Sequence, residues 1–158
     1  MSLQITTPTD TTIVLTRSFK APRRLVWEAM TTPDKMKRWM LPPPGMTLTV
    51  CEVEARLGGT LKLAWKTADA DPVMTLHGEW TEFSPYERMV HTETMKSASG
   101  ETVCYLVEAH ELTEKDGVTQ MRITQSYNSK ADRDGALASG MDQGMEACYQ
   151  QLDVVVAQ

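Results

Sequence analysis

After Tyr127 the hydrophobic period of this chain changes once, and that switch limits the folds open to it. Before it, from Thr47 onward, strand-length runs alternate between turn signals. The run "TLTVCEVEA" meets "RLGGTLKLAW" across Gly58-Gly59, a good hairpin signal, with Leu61, Leu63 and Trp65 sharing one face. The turns "ADADP", Ser84-Pro85, "KSASG" and a loop holding Asp116-Gly117 punctuate "VMTLHGEWTEF", "ERMVHTETM", "TVCYLVEAHEL" and "VTQMRITQSY". With "TIVLTRSF" (Thr12 to Phe19) ahead of them, they read as about seven strands of a meandering antiparallel sheet. Beyond the switch, Leu137, Met141, Met145, Cys148, Leu152 and Val155 or Val156 recur in steps of three and four. That spacing predicts one long amphipathic helix over Lys130 to Val156.

Between the first strand and the meander lies "APRRLVWEAMTTPDKMKRWMLPPPG", Ala21 to Gly45. Pro22 suits a first helical position, and Leu25, Val26, Ala29 and Met30 follow at helical spacing. Thr32 as cap, Pro33 in the first turn and Asp34 near the positive helix end then start a second helix carrying Met36, Trp39 and Met40. Pro42 to Pro44 forbid its continuation. The whole pattern is that of an α+β domain. One helix cannot cover a strongly curved sheet without leaving space, so the short helix pair is expected to act as a lid over a cavity.

At 158 residues the chain is expected to form a single domain over 1–158, with 1–11 as an N-terminal tail. A net charge of −5 argues against nucleic acid or an anionic membrane as the main partner. Cys51, Cys104 and Cys148 are odd in number and far apart, so neither a disulfide framework nor a CxxC metal pair is expected. No apolar run approaches the roughly 20 residues of a membrane span, and no secretory signal is legible. The expected location is therefore the cytoplasm.

Eleven methionines against two phenylalanines suit an adaptable core or an adaptable cavity lining. Trp39, Trp65 and Trp80 are each read first as core and second as pocket walls, Trp39 most readily as the latter because it lies on the lid. Gly140 and Gly144 stand one helical turn apart beside Met141, Met145 and Cys148, making room for a ligand or for close packing. His77, His91 and His110 occupy separate strands with no metal-ligand spacing, so solvated or hydrogen-bonded histidines are expected, with no metal and no cofactor. Glu52, Glu54 and Arg56 alternate on what reads as a solvated strand face. No nucleophile–base pair and no phosphate loop is legible.

Four segments in order carry a resemblance: "FKAPRRLVWEAMTTPDKMKRWM", "VEARLGGTLKL", "HGEWTEFSPYERMVHT" and "DRDGALASGMDQGMEACYQQLDVVV". From about Thr12 to its end the chain resembles the SRPBCC or START-like superfamily, and within it the family named after the activator of the heat-shock-protein-90 ATPase. Met40 stands where an aromatic often follows the tryptophan, and Glu54 where aspartate is common. The resemblance implies a helix-grip fold, a curved antiparallel sheet wrapped around a long C-terminal helix. It also implies a deep apolar cavity for a small hydrophobic molecule, with Trp39, Met40, Trp65, Trp80, Met141 and Met145 as candidate lining. A second copy of the chain is a further candidate partner. The enzyme alternative is a cyclase- or hydrolase-like activity on an aromatic or polyketide-type substrate, and its discriminator is a buried histidine–carboxylate pair facing the cavity. The third reading is a chaperone interaction module, although the eukaryotic namesake has a further N-terminal domain that this chain is too short to hold.

Overall fold

Each turn signal between Thr47 and Tyr127 becomes a reversal of the chain in the computed structural model, which describes residues 2–157. The meander runs through β3 (Thr47–Val53), β4 (Thr60–Lys66), β5 (Met74–Ser84), β6 (Arg88–Ser97), β7 (Thr102–Lys115) and β8 (Val118–Tyr127), all paired antiparallel, if β1 and β2 are numbered for the strands ahead of them. The tightest link is Asp116-Gly117, where both residues take positive φ (54° and 76°), the pair of left-handed conformations a two-residue hairpin needs. β2 (Thr12–Phe19) pairs with β8, and β1 (Gln4–Thr6) adds an edge to β2. The sheet order is thus β1-β2-β8-β7-β6-β5-β4-β3, eight strands among the described residues. The N-terminal segment expected as a tail contributes that extra strand.

This order explains the segment between Ala21 and Gly45. β2 lies beside β8, whereas β3 forms the opposite edge, so the chain must cross the sheet between them. It does so through α1 (Arg23–Thr31) and α2 (Pro33–Trp39), broken at Thr32. Pro22 sits just before α1 rather than within it, and Thr32 precedes α2 without a side-chain capping bond.

The expected single terminal helix is two: α3 (Lys130–Ala138) and α4 (Met141–Val156). Gly140, at φ +79°, takes the left-handed conformation at the break. The apolar steps run on across it because Leu137 and Met141 are four apart whether or not the link is helical. An added Cβ at Gly140 or Gly144 would meet nothing within 4 Å, so neither glycine marks a close approach to the sheet.

α4 packs Tyr149, Leu152, Val155 and Val156 inward. Tyr149 meets Phe19 of β2 edge-on at 5.9 Å and stacks on Trp39 of α2 at 6.0 Å. Arg17, on the same β2 face as Phe19, reaches up to α4, its Nε to Glu146 at 3.1 Å and its second terminal nitrogen to Asp153 at 2.8 Å. Burial alone would lower the Arg17 pKa, but the two carboxylates outweigh it and hold the guanidinium charged. These contacts define the inner face of the sheet. No helix among the described residues is long and apolar enough to cross a membrane.

Candidate functional site

Strand register decides what the inner face presents, because residues opposite one another across a ladder point the same way. Ile13 of β2 pairs with Gln125, Gln125 with Glu108, Glu108 with His91, and His91 with Trp80. Ile13 shares its face with Arg17 and Phe19, two and three alternations along the strand, so this whole row lies on the inner face of the sheet, which meets α4 at β2 and nears α1 at Trp80 through Phe83 and Trp27. A polar band therefore crosses four strands inside the fold. Two alternations along, a second row runs Cys51–Leu63–Leu76–Met95–Cys104 through β3 to β7. It is apolar, with Cys51, Met95 and Cys104 only partly buried. Between them Leu61 pairs with Gly78, and Glu93 with Leu106, which in turn pairs with Tyr127.

The polar band is knitted by hydrogen bonds. His110, on the same face of β7 as Glu108, lies with Nε2 2.6 Å from Glu108 Oε1. Gln125 Nε2 donates to Glu108 Oε2 at 2.9 Å, and the Tyr127 hydroxyl donates to Gln125 Oε1 at 3.0 Å. Burial alone would push Glu108 up, but the His110 bond, the nearby His91 and the Gln125 bond outweigh it and hold the carboxyl down at about 2. His91 is pushed down to about 4, chiefly by burial, so its imidazole is neutral at pH 7. Glu93 is pushed well up by burial and by the Glu108 charge. Tyr149 of α4 is raised as well, first by burial and then by the Glu108 charge. Trp80 Nε1 and His110 Nδ1 have no hydrogen-bond partner although both atoms are buried. Buried polar atoms left in this way are uncommon, and each asks for a reason.

The structure does not bring the six candidate residues together in one place. Trp80 ends the polar band, edge-on to His91 at 5.7 Å, and Trp65 pairs with Leu48 and Met74 in the outer part of the sheet. Trp39 is core: it is 8% exposed and its Nε1 donates to the Ala29 carbonyl at 2.7 Å. Met40, Met141 and Met145 are partly buried against the core. Two pockets are formed elsewhere. One of about 120 Å³ lies where Leu25 and Ala29 of α1 face Val155 and Val156; the other, about 560 Å³, lies between Leu3, Ile5 and the Glu146–Gln150 side of α4. None of the six candidates lines either pocket.

His91, Glu108 and His110 were not among the candidate lining residues; the histidines are solvated or hydrogen-bonded as expected, but their grouping with a carboxylate was not foreseen. His77 is exposed, but His91 and His110 are 4% and 6% exposed and brought together with a carboxylate. A signal was present: His91, Glu108 and His110 fall on the same alternation as Met89, Leu106 and Leu112, the apolar face of their strands. Glu54 and Arg56, in contrast, form an exposed pair at 3.0 Å, as a solvated face should.

A chain of this shape has many structural relatives. A protein from Rhodobacter sphaeroides is 26% identical, with 99% of each chain covered and a TM-score of 0.86. Proteins from Nitrosomonas europaea (22% identical, 96% of this chain and 99% of that one, TM-score 0.80) and Mycobacterium smegmatis (20%, 97% and 95%, TM-score 0.78) share the fold. No curated protein matches the chain at a significant level. A family model described as Activator of Hsp90 ATPase homolog 1-like protein matches residues 20–157, and it does so over the crossing helices, the meander and both terminal helices. The chain belongs to that family of Activator of Hsp90 ATPase homolog 1-like proteins, built on the helix-grip fold.

Proposed function

We propose that the chain binds a small, mainly apolar molecule carrying one polar group, held between the inner face of the sheet and α4. The apolar body lies along the Cys51–Leu63–Leu76–Met95–Cys104 row, and the polar group reaches the band of Trp80, Glu108 and His110. The arrangement that carries this reading is the polar band itself. Its register places two unpartnered buried polar atoms, Trp80 Nε1 and His110 Nδ1, among apolar rows, and a few placed polar groups in an apolar setting are how small-molecule sites achieve orientation. Entry is through the partly buried methionines Met40, Met95, Met141 and Met145, whose flexible side chains can part and repack. Native mass spectrometry of freshly purified protein is the test. A co-purifying small molecule that is lost in Glu108→Gln supports the reading; a molecule retained equally by Glu108→Gln and Trp80→Phe places binding elsewhere.

A second reading has its own observation. The buried Glu108–His110 pair, 2.6 Å apart, is the constellation that favours an enzyme of the cyclase or hydrolase kind over a carrier. Glu108 would hold and orient His110 with Nε2 toward the carboxylate, leaving Nδ1 to exchange a proton with an aromatic or polyketide-type substrate. In this case the molecule recovered from His110→Gln protein would be the unreacted substrate. Recovery of an identical molecule from wild type and variant would leave only binding.

A further inference from the structure

His91, Glu108 and His110 come from two adjacent strands, and one ligand atom from each lies within 4.8 Å of the other two. All three residues are more than nine-tenths buried. Two further observations point from this cluster to a cation rather than to a closed hydrogen-bond network. His110 Nδ1 has no partner. His91 Nδ1 lies 3.3 Å from the Thr92 carbonyl, which as acceptor fixes the tautomer and leaves Nε2 with its lone pair free. A backbone carbonyl behind one ring nitrogen is the usual support for an imidazole that ligates through the other. Glu108 has equivalent support, since Gln125 Nε2 holds its second oxygen at 2.9 Å and is itself held by Tyr127.

We infer that His91, Glu108 and His110 form a three-ligand site for a divalent transition metal, with zinc the ion of best fit. Two imidazoles and one carboxylate are a donor set that zinc accepts with a fourth position open. Zinc–nitrogen and zinc–oxygen bonds of about 2.0–2.2 Å place tetrahedral ligand atoms roughly 3.3 Å apart, so side-chain rotations alone close the cluster. With the metal on Nε2, the proton that His110 now shares with Glu108 moves to the unpartnered Nδ1 of the same ring, and the imidazole stays neutral. Trp80, edge-on to His91, stands beside the fourth position, where its unpartnered Nε1 can donate to a metal-bound water or ligand oxygen. The site shares Glu108, His110 and Trp80 with the band on which the proposed ligand places its polar group, and metal binding is tested without any organic ligand.

The test uses the full chain, stripped with chelator and titrated with zinc or cobalt alone. One equivalent of metal should bind and raise the melting temperature. Cobalt should give the visible bands of a four- or five-coordinate nitrogen and oxygen site, with no thiolate charge-transfer band from Cys51, Cys104 or Cys148. Glu108→Gln and His91→Asn should each weaken binding by more than about tenfold, a loss of the size that even supporting residues cause, while His77→Ala, exposed on the other face, should not. If those variants fail to fold, imidazole nitrogen resonances of wild-type protein decide: the zinc-induced shifts must fall on His91 and His110. No binding, a thiolate band, or shifts confined to His77 overturns the assignment.

Discussion

Trp39 is held by three elements at once. It ends α2, its indole N–H bonds a carbonyl of α1, and its ring stacks on Tyr149 of α4. A lid residue bordering a cavity would lose ligand affinity before stability. Held in this way, Trp39→Ala should instead cost about 3–5 kcal/mol of stability, the usual range for a buried aromatic. Urea unfolding measures it, and a loss below about 1 kcal/mol would return Trp39 to the lid. The position of Trp39 on a short helix was legible in the sequence, but its partners were not, because Tyr149 is 110 residues away (149 − 39) and nothing local pairs them. Residues of the polar band were missed for a different reason. Glu108 and His110 were read as strand residues of unspecified face, whereas the Leu106–Leu112 alternation already assigned them inward.

Elements were more legible than contacts. Turn residues carry their own conformational chemistry, so Asp116-Gly117 and Ser84-Pro85 located their reversals without tertiary information. Ladder register is less local. It shifts between Leu48 and Val50, between Trp80 and Glu82, and between Met95 and Lys96, and each irregularity moves the cross-strand neighbours of everything beyond it. The terminal helix shows the same limit, since a left-handed link at Gly140 preserves the apolar spacing. The two glycines should therefore behave oppositely. Gly140→Ala puts a Cβ on a left-handed residue and should destabilise by about 1–2 kcal/mol. Gly144→Ala lies within α4 with open space around its Cβ and should stabilise by about 0.8–1 kcal/mol. Thermal unfolding of the pair checks this; equal effects would contradict the break between α3 and α4.

At the scale of the whole molecule, the sheet grips α4 through one buried charge cluster as well as through apolar packing. Arg17→Met would leave Glu146 and Asp153 without their shared partner and should cost about 3 kcal/mol, the low end for broken buried pairs because both carboxylates keep some solvent. Burial alone would raise Glu146, but bonds from Arg17 and the Leu3 N–H outweigh it and hold the carboxyl below its usual value. A depressed carboxylate stabilises the fold fully above its unfolded pKa of about 4.3, and that contribution is lost as pH falls through the lower folded value. Wild-type stability should thus fall in this acid range, and the Arg17→Met profile should be flatter there. Parallel profiles would remove Glu146 from the account.

α1 and α2 carry the chain from β2 to the far edge of the sheet, and Met40, Met95, Met141 and Met145 are partly buried against the core. The central claim is that a mainly apolar molecule enters past them and places its polar group on the Trp80–Glu108–His110 band. The most direct measurement is a titration of methionine-methyl-labelled protein with naphthol, an apolar bicycle bearing one hydroxyl, followed by NMR together with the tryptophan indole signals. Saturable shifts at Met95, Met141 or Met145 and at the Trp80 indole N–H, with buried Met30 of α1 unmoved, are the predicted result. Shifts confined to surface positions near Leu3 and Ile5, or no saturable shift at all, would contradict it.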